Sequence, residues 1–363
     1  MRFSVYSEMQ LWPGKPPARL YAEVEEQIVH ADRMGYDAYA VVEHFFFPRF
    51  SIAPDPIALF AAVAPRTRRI RFRTMLHVLP FHNPTVLASR IAAAQILTGG
   101  RYEFGVGRGH GWGPPKAGVR LEDVRELYEE SFEVFFEALE HERFSHEGRF
   151  YEVHDSHIVP PPTPPARVFV GGTSDSTYEL AGRRGWSVAV PPLLPYEALR
   201  DQLDIYRHSC AEHGNAPDIV WIHACYMDSD REVALRDAEL AMRRFLEGNA
   251  SPLAELDPVE ALNAAGYGFY TSGIMETLAT TPYDEMIEGD VVWVGTPEDV
   301  AARVAAVIDV CEGITEVAIT ANPGGFAHWQ AIKTQEIFAD EVAPRFRSRA
   351  ATDAALDVAT PAA

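Results

Sequence analysis

Asp37-Ala-Tyr-Ala-Val-Val-Glu-His-Phe-Phe-Phe-Pro48 is the stretch on which the fold turns. Ala38–Val42 is a short, almost continuous apolar run, the pattern of a strand covered on both faces. It ends abruptly in Glu43 and His44, two groups that can move protons, followed by three phenylalanines and a proline. A polar pair at the carboxyl end of a buried strand, roofed by aromatic rings, is where an α/β enzyme places its chemistry. A structural histidine satisfied by backbone at a strand end would have the same letters, and this stretch alone leaves both readings open.

Working outward, the chain alternates. Before the stretch, Phe3–Tyr6 reads as a strand. Ala18–Met34 carries Leu20, Val24, Ile28 and Ala31 at helical spacing, with Gly35 just past its end. After it, Asp55 before Pro56 opens a helix over Pro56–Ala64. Strands at Ile70–Leu79 and Tyr102–Val106 then alternate with helices at Pro84–Leu97 and Arg120–Leu139. Phe144–Val159 interrupts as an extended excursion or short hairpin, and Pro160-Pro161-Pro162 with Pro164-Pro165 makes a stiff connector. Alternation resumes with strands at Val168–Gly171, Ser187–Val190, Ile219–Met227 and Thr315–Ala321. Eight strands linked by helical segments at this length predict a single α/β domain, a (β/α)8 TIM barrel spanning residues 1–346. No G-x-G-x-x-G opens a helix after the first strand, which counts against a Rossmann domain.

Gly248–Trp293, before the eighth strand, is too long for an ordinary connection. Its glycines and the aromatics Tyr267, Phe269 and Tyr270 predict a mobile lid over 248–293, with a disordered insertion as the plainer alternative. Thr296 is the expected N-cap of a helix over Glu298–Cys311, and the Ala-rich end, 347–363, reads as a disordered tail.

The 363 residues are 47% hydrophobic, enough for a large core, with a formal net charge of −20. That charge argues against nucleic-acid partners and anionic membranes, so an anionic ligand needs a local positive cluster. No apolar run reaches membrane-spanning length, and Met1-Arg2-Phe3 leads into a strand rather than a signal pattern. Cys210, Cys225 and Cys311 match no disulfide or metal framework, which fits a reducing cytoplasm.

The strand ends gather the polar candidates: Ser7, Glu8 and Gln10; Glu43 and His44; His77 and His82; Gly105 to His110; Gly171 to Thr177. Gly171-Gly172, then hydroxyls and a helix start, is a phosphate cradle of backbone N–H groups and helix dipole, to which Ser174 and Thr177 add hydroxyls. Ordinary N-capping by Ser174 or Asp175 is the alternative. Arg108, flanked by glycines, can present its fork to the same anion, joined by Arg125 from the following helix. His44, His77, His82 and His110 share the mouth but lack a compact metal spacing, so no metal is expected. There is no G-x-S-x-G elbow.

At these residues the chain resembles the bacterial luciferase-like flavin monooxygenases, from Arg2 to about Arg345. The matching motifs are Gly35-Tyr36-Asp37 to Glu43-His44, Thr74 to Pro80 with Asn83-Pro84, Gly100-Arg101-Tyr102 to Gly109, Val168–Thr177, and Val294 to Glu298. The resemblance implies a barrel that binds reduced FMN and activates O2 as a C4a-peroxide or hydroperoxide to oxygenate a small apolar organic substrate. It implies His44 as the catalytic histidine, which Glu43 is expected to orient. Arg108, Arg125, Ser174, Thr177 and the backbone of Thr173 are implied as phosphate ligands. Met75-Leu76 is implied as a non-prolyl cis peptide beneath the flavin ring. With no nicotinamide fingerprint in the chain, a separate flavin reductase is the expected partner, and a homo-oligomer the expected assembly. Phe45 stands where luciferases have a second histidine and Gly107 where they have a cysteine, which makes light emission less secure. An F420-dependent hydride-transfer enzyme and a non-catalytic flavin-binding relative are the alternatives; Glu43-His44, in place of the Asp-His frequent in F420 enzymes, favours FMN.

Overall fold

The computed structural model describes residues 1–347 apart from 166, 173, 192, 194, 195 and 257. Strands β1 (Arg2–Ser7), β2 (Ala38–Val41), β3 (Arg71–Val78) and β4 (Tyr102–Gly107) are followed respectively by helices α1 (Pro17–Met34), α2 (Pro56–Val63), α3 (Pro84–Leu97) and α4 (Val124–Glu140). An antiparallel hairpin of β5 (Phe144–Glu147) and β6 (Glu152–Ser156) comes next. Then follow β7 (Val168–Val170), α5 (Asp175–Arg184), β8 (Ser187–Val190), α6 (Tyr196–Glu212), β9 (Ile219–Met227) and α7 (Arg231–Ala250). After the short helices α8 (Val259–Ala264), α9 (Ile274–Thr280) and α10 (Tyr283–Glu288), the chain runs through β10 (Trp293–Gly295), α11 (Pro297–Val310), β11 (Ile314–Thr320) and α12 (His328–Ile337).

β1, β2, β3, β4, β7, β8, β9 and β11 are all parallel, and the β8–β9 and β9–β11 pairings close them into a barrel. The expected (β/α)8 fold is therefore present. The excursion after α4 is the hairpin. β10 was not legible: only three residues long, it extends the barrel edge by pairing with the end of β9, Trp293 opposite Cys225. The helix boundaries follow the local chemistry. Asp55 caps α2 by accepting from the Ala58 N–H, with Pro56 at the first helical position. Thr296 and Asp299 form a reciprocal capping box on α11, and Gly35 ends α1 in the left-handed conformation. The tail beyond Arg347 lies outside the described residues.

The two-residue period of each strand sorts side chains between two cores. On β1, Phe3 and Val5 pack outward against helices, while Ser4 and Tyr6 face the barrel interior. Glu8, two residues further, enters the mouth. At the amino-terminal end the interior is filled by charge. Arg73 donates to Glu316 (2.6 Å) and Glu103 (2.7 Å), Arg167 donates to Glu316 (2.5 Å), and Ser4 adds a hydroxyl bond to the same carboxylate (2.5 Å). The Arg73 guanidinium also lies over the Phe169 ring, 4.1 Å from its centroid. This plug seals one end and leaves the other for a site.

The insertion between α7 and β10 is largely helical and tied down at several points. Tyr283 donates its hydroxyl to the Leu235 carbonyl of α7 (2.9 Å), and Arg303 of α11 donates to Asp290 and the Ile287 carbonyl (both 2.8 Å).

Candidate active site

The carboxyl ends of the strands surround a cavity of about 480 Å3, within the range of small-molecule sites. Arg108 at the end of β4, Arg125 and Tyr128 on α4, and Ser174 and Thr177 at the start of α5 line one side. Glu8, beyond β1, lines it too, as do Met75 and Leu76 of β3. Four of the expected phosphate ligands thus share one cavity. Thr173 lies outside the described residues.

Ser174 and Thr177 bond to each other, Oγ to Oγ1 at 2.7 Å, and the Ser174 side chain does not cap the helix. Asp175 accepts from Gln202 of α6 (3.2 Å) and is not part of the cavity wall, so its charge is not turned on an anion there. Arg108 donates Nη1 to the Ala265 carbonyl (2.8 Å) and Nη2 to that of Gly266 (2.6 Å), and its guanidinium lies 4.1 Å from the Tyr267 ring centroid. The expected phosphate ligand is therefore also the clasp of the insertion. Arg125 pairs with Glu129 (3.3 Å).

The Met75–Leu76 peptide is cis. Glycines on β4 lie against the Leu76 side chain: a Cβ on Gly107 would lie 2.7 Å from Leu76 Cδ1, and one on Gly105 2.2 Å from Cδ2 and 2.9 Å from the Phe169 carbonyl oxygen. At Gly105, where backbone also stands close, a side chain would force a shift; at Gly107 the Leu76 side chain would have to move.

Glu43 and His44, adjacent in sequence, serve different neighbourhoods. Glu43 does not orient His44. It accepts from His77 Nδ1 (2.6 Å), His82 Nε2 (2.7 Å) and the Val78 N–H (3.0 Å), and the Tyr102 hydroxyl stands 2.7 Å from His77 Nε2. Burial would raise this carboxyl, but the His77 charge and the bonds from both histidines outweigh it and hold Glu43 down to about 2. Facing atoms of Glu43, His77 and His82 lie within 4.8 Å of one another, a spacing open to a metal, though each is already engaged in a hydrogen bond.

The partner of His44 is Trp112, whose indole N–H donates to His44 Nε2 at 3.0 Å. Nε2 being an acceptor, the proton of the neutral ring sits on Nδ1. That nitrogen is buried without a partner among the described residues. Burial, and then the neighbouring His110, hold His44 well below the usual histidine range. His44 stacks on Phe50 (centroids 4.1 Å apart) and does not reach the cavity surface; it borders a small void behind the wall. His110 is the imidazole on the cavity wall, stacked on Trp112 at 4.5 Å, and burial holds it down at about 4. Tyr270 of the insertion meets Trp112 edge-on at 4.9 Å. Sequence reasoning placed His110 at a strand end without assigning it a role, and passed over Trp112, Tyr128 and Asn249. The aromatic letters of Trp112 and Tyr128 carried no chemistry by themselves, and Asn249 reaches the cavity only because α7 ends there.

Comparison with known proteins bears on the fold and the family. The chain is 26% identical over 305 residues to the oxygenase component of flavin-dependent trigonelline monooxygenase from Acinetobacter baylyi, covering 76% of this chain and 80% of that one. Its fold superposes with a TM-score of 0.74, at 21% identity, on the oxygenating constituent of 3,6-diketocamphane monooxygenase from Pseudomonas putida, solved with FMN; 96% of this chain and 99% of that chain are covered. It superposes with a TM-score of 0.72, at 16% identity, on an F420-dependent secondary alcohol dehydrogenase, covering 96% and 99%. At those identities the two structures speak for the fold. The family model described as luciferase-like monooxygenase matches residues 1–311, and the chain belongs to that family of flavin-dependent enzymes.

Proposed function

We propose that this chain is the oxygenase of a two-component system, taking FMNH2 from a separate flavin reductase and placing one atom of O2 on a small apolar organic substrate while the other leaves as water. The observation that carries the reading is the meeting of Arg108, Arg125, Ser174 and Thr177 on one side of a cavity whose other walls are mostly aromatic and apolar, with Glu8, Glu43, His110 and Asn249 among them. The residues fit a flavin phosphate. Among the described residues, Ser174 and Thr177 hold only each other's hydroxyls at the amino end of α5, a ten-residue helix whose dipole favours an anion. Arg108 uses two of its five N–H groups on the insertion, leaving donors for a phosphate.

Reduced FMN, when bound, supplies the two electrons that activate O2. The chain's own contribution is positioning, exclusion of water and proton control. Met75 and Leu76 offer apolar surface in the same cavity as His110. Tyr267 and Tyr270, clasped through Arg108, roof the site against water. His110 and His44 keep that wall neutral at pH 7, with the His44 proton held on Nδ1 by Trp112. In this reading His44 governs the proton available at the wall, and His110 faces the reacting groups. The relative named as an oxygenase component and the neighbour solved with FMN support the two-component reading.

The alternative is hydride transfer on F420, favoured by the dehydrogenase of the same fold. Anaerobic titration with FMNH2 and with reduced F420, followed by admission of O2, separates the two. We expect FMNH2 to bind and its reoxidation to be slower on the protein than in free solution. Tighter binding of F420, with no effect on FMNH2 reoxidation, would replace this reading by the other.

A further inference from the structure

Glu8 is a buried carboxyl group in the wall of the cavity. Its side chain is 3% exposed, and among the described residues no lysine, arginine or histidine nitrogen lies within ion-pairing distance. One oxygen, Oε2, accepts from both Gln10 Nε2 (3.1 Å) and Asn249 Nδ2 (3.0 Å). The orientation of both amides is fixed by backbone. Gln10 Nε2 also donates to the Phe245 carbonyl and its Oε1 accepts from the Gly324 N–H, while Asn249 Nδ2 donates to the same Phe245 carbonyl. Neither amide can turn an oxygen toward Glu8 without losing those bonds. The other oxygen, Oε1, has no hydrogen bond from any described residue and is not sealed from the cavity.

A buried carboxyl so held keeps its proton, because ionisation without a cation is costly. With both amide donors on Oε2, the proton belongs on Oε1. Burial pushes Glu8 up to about 8, against the lowering effect of the Asn249 and Gln10 bonds. Barrel order sets what this group faces. β1 is separated from β4 by β2 and β3, and from β7 by β2, β3 and β4, so Glu8 stands across the mouth from Arg108, Ser174 and Thr177. The cavity near it is lined by Tyr6, Val42, Phe50 and Ile222, apolar surface with no second fixed donor from those four except the Tyr6 hydroxyl.

We propose that Glu8 anchors the substrate, its carboxyl group donating a hydrogen bond from Oε1 to a neutral acceptor oxygen of the carbonyl class on an otherwise apolar molecule. Such a donor at the β1 side orients a ketone, aldehyde or ester with its hydrocarbon against Phe50 and Ile222. A carboxylate substrate would accept the same bond but would find no cation among the described residues at this side of the mouth, so the neutral class is selected. The inference rests on the proposed function only for the cavity in which the substrate lies; it holds whether oxygen or hydride is transferred there.

The test is calorimetric titration of the full chain, without flavin, using cyclooctanone, a ketone with no ionisable group. Between pH 6 and 7 we expect saturable binding, weakening about tenfold by pH 9 as Glu8 ionises and ceases to donate. Glu8→Gln retains an N–H donor and is expected to bind without that pH dependence. Glu8→Leu is expected to bind about tenfold more weakly at all pH values. The other titratable groups on this wall do not mimic the profile: Tyr6 is raised well above the tyrosine range by burial and then the Glu8 charge, His110 is held at about 4, and Glu43 at about 2. An unchanged pH profile in Glu8→Gln, or undiminished affinity in Glu8→Leu, overturns the proposal. If the leucine variant does not fold, the glutamine pH profile decides. Because no flavin is present, these outcomes are independent of the FMNH2 and F420 titrations.

Discussion

Two glutamates buried in the same barrel have opposite ionisation. Glu316, at the amino-terminal end, meets Arg73, Arg167 and Ser4; Glu8, at the carboxyl-terminal end, meets two amides and a cavity. One inward-facing row of β1 serves both, since Ser4 touches Glu316 and Tyr6 leads up to Glu8. Burial acts on both carboxyls in the same direction. The charges of Arg73 and Arg167 overcome it at Glu316 and hold that group far below the carboxylate range, while nothing comparable opposes it at Glu8. The difference separates a structural charge from a functional one. A buried ion network with its lone pairs used closes an end of the barrel, and a buried acid with one oxygen left over waits for a ligand.

Breaking the closed end should have the largest effect. Glu316→Ala leaves Arg73 buried with only Glu103, and the loss expected for an uncompensated buried charge is about 3–5 kcal/mol. Urea denaturation measures it. A loss below about 1 kcal/mol would mean that the network contributes little, and that the contrast with Glu8 is one of chemistry without consequence for stability.

The second effect is in the pH dependence of stability, and the two glutamates give it opposite signs. Glu316 and Glu43 have depressed folded-state values. Their contribution is present above the unfolded value near 4.5 and is lost as pH falls toward about 2 and below. Glu8 has a raised value of about 8. Its contribution is full below about 4.5 and is lost as pH rises to about 8. The imidazoles of His44, His110 and His223, held low by burial, add to the acid limb up to the unfolded histidine value. Stability should therefore fall on both sides of a maximum at about pH 6.5. Glu8→Gln should remove the alkaline limb and leave the acid limb. A change of one in pKa corresponds to about 1.4 kcal/mol, so the two curves should part by a few kcal/mol between pH 5 and 9. Parallel curves would show that Glu8 ionises as freely in the folded chain as in the unfolded one.

The contrast also marks how far the sequence could be read. The barrel was legible because strand and helix periods alternate, and Asp55-Pro56, Gly35 and Thr296 punctuate them. Arg108, Ser174 and Thr177 were legible because glycines and hydroxyls at strand ends carry a local chemistry. Glu8 appeared only as one polar letter at a strand end. Its meaning depends on Asn249, 241 residues away, and on the lack of a cation among the described neighbours, neither of which a strand pattern encodes. The assignment of Glu43 to His44 failed for a related reason. Adjacent residues at a strand end point to opposite sides, so Glu43 went to His77 of the neighbouring strand β3 and His82 just beyond it, and His44 to Trp112 on the loop after β4.

A smaller effect is expected at Arg108, which belongs to both the proposed phosphate side and the insertion. Arg108→Ala should weaken FMNH2 about ten- to a hundredfold, the worth of a charge-assisted hydrogen bond of roughly 1.5–3 kcal/mol. It should also free Ala265 and Gly266, so amide exchange in the insertion should quicken in the absence of flavin. Faster exchange with unchanged flavin affinity would reduce Arg108 to a clasp, and the cavity's anion side would then rest on Arg125 and α5 alone.

The smallest effect probes the neutral wall opposite that side. Trp112→Phe keeps an aromatic ring against His110 and Tyr270 but removes the indole N–H that His44 Nε2 accepts. The hydrogen bond is worth only about 0.5–1.5 kcal/mol of stability, and the variant should fold. Its value lies in what it releases. In the native wall the acceptor role of Nε2 leaves the His44 proton on Nδ1. Without Trp112 the tautomer is no longer fixed, and either nitrogen can carry it. If His44 governs proton supply at the wall, FMNH2 affinity should stay within twofold of the native chain while turnover falls by about tenfold, a part of the 10²–10⁴ that acid–base help provides. Nitrogen-15 chemical shifts of the imidazole should show the tautomer mixture directly. Loss of flavin affinity together with turnover would make the Trp112–His44 pair a structural prop, as much a closed contact as the Glu316 network. Normal turnover despite a mixed tautomer would remove His44 from the reaction and leave His110, the imidazole on the cavity wall, as the proton carrier there.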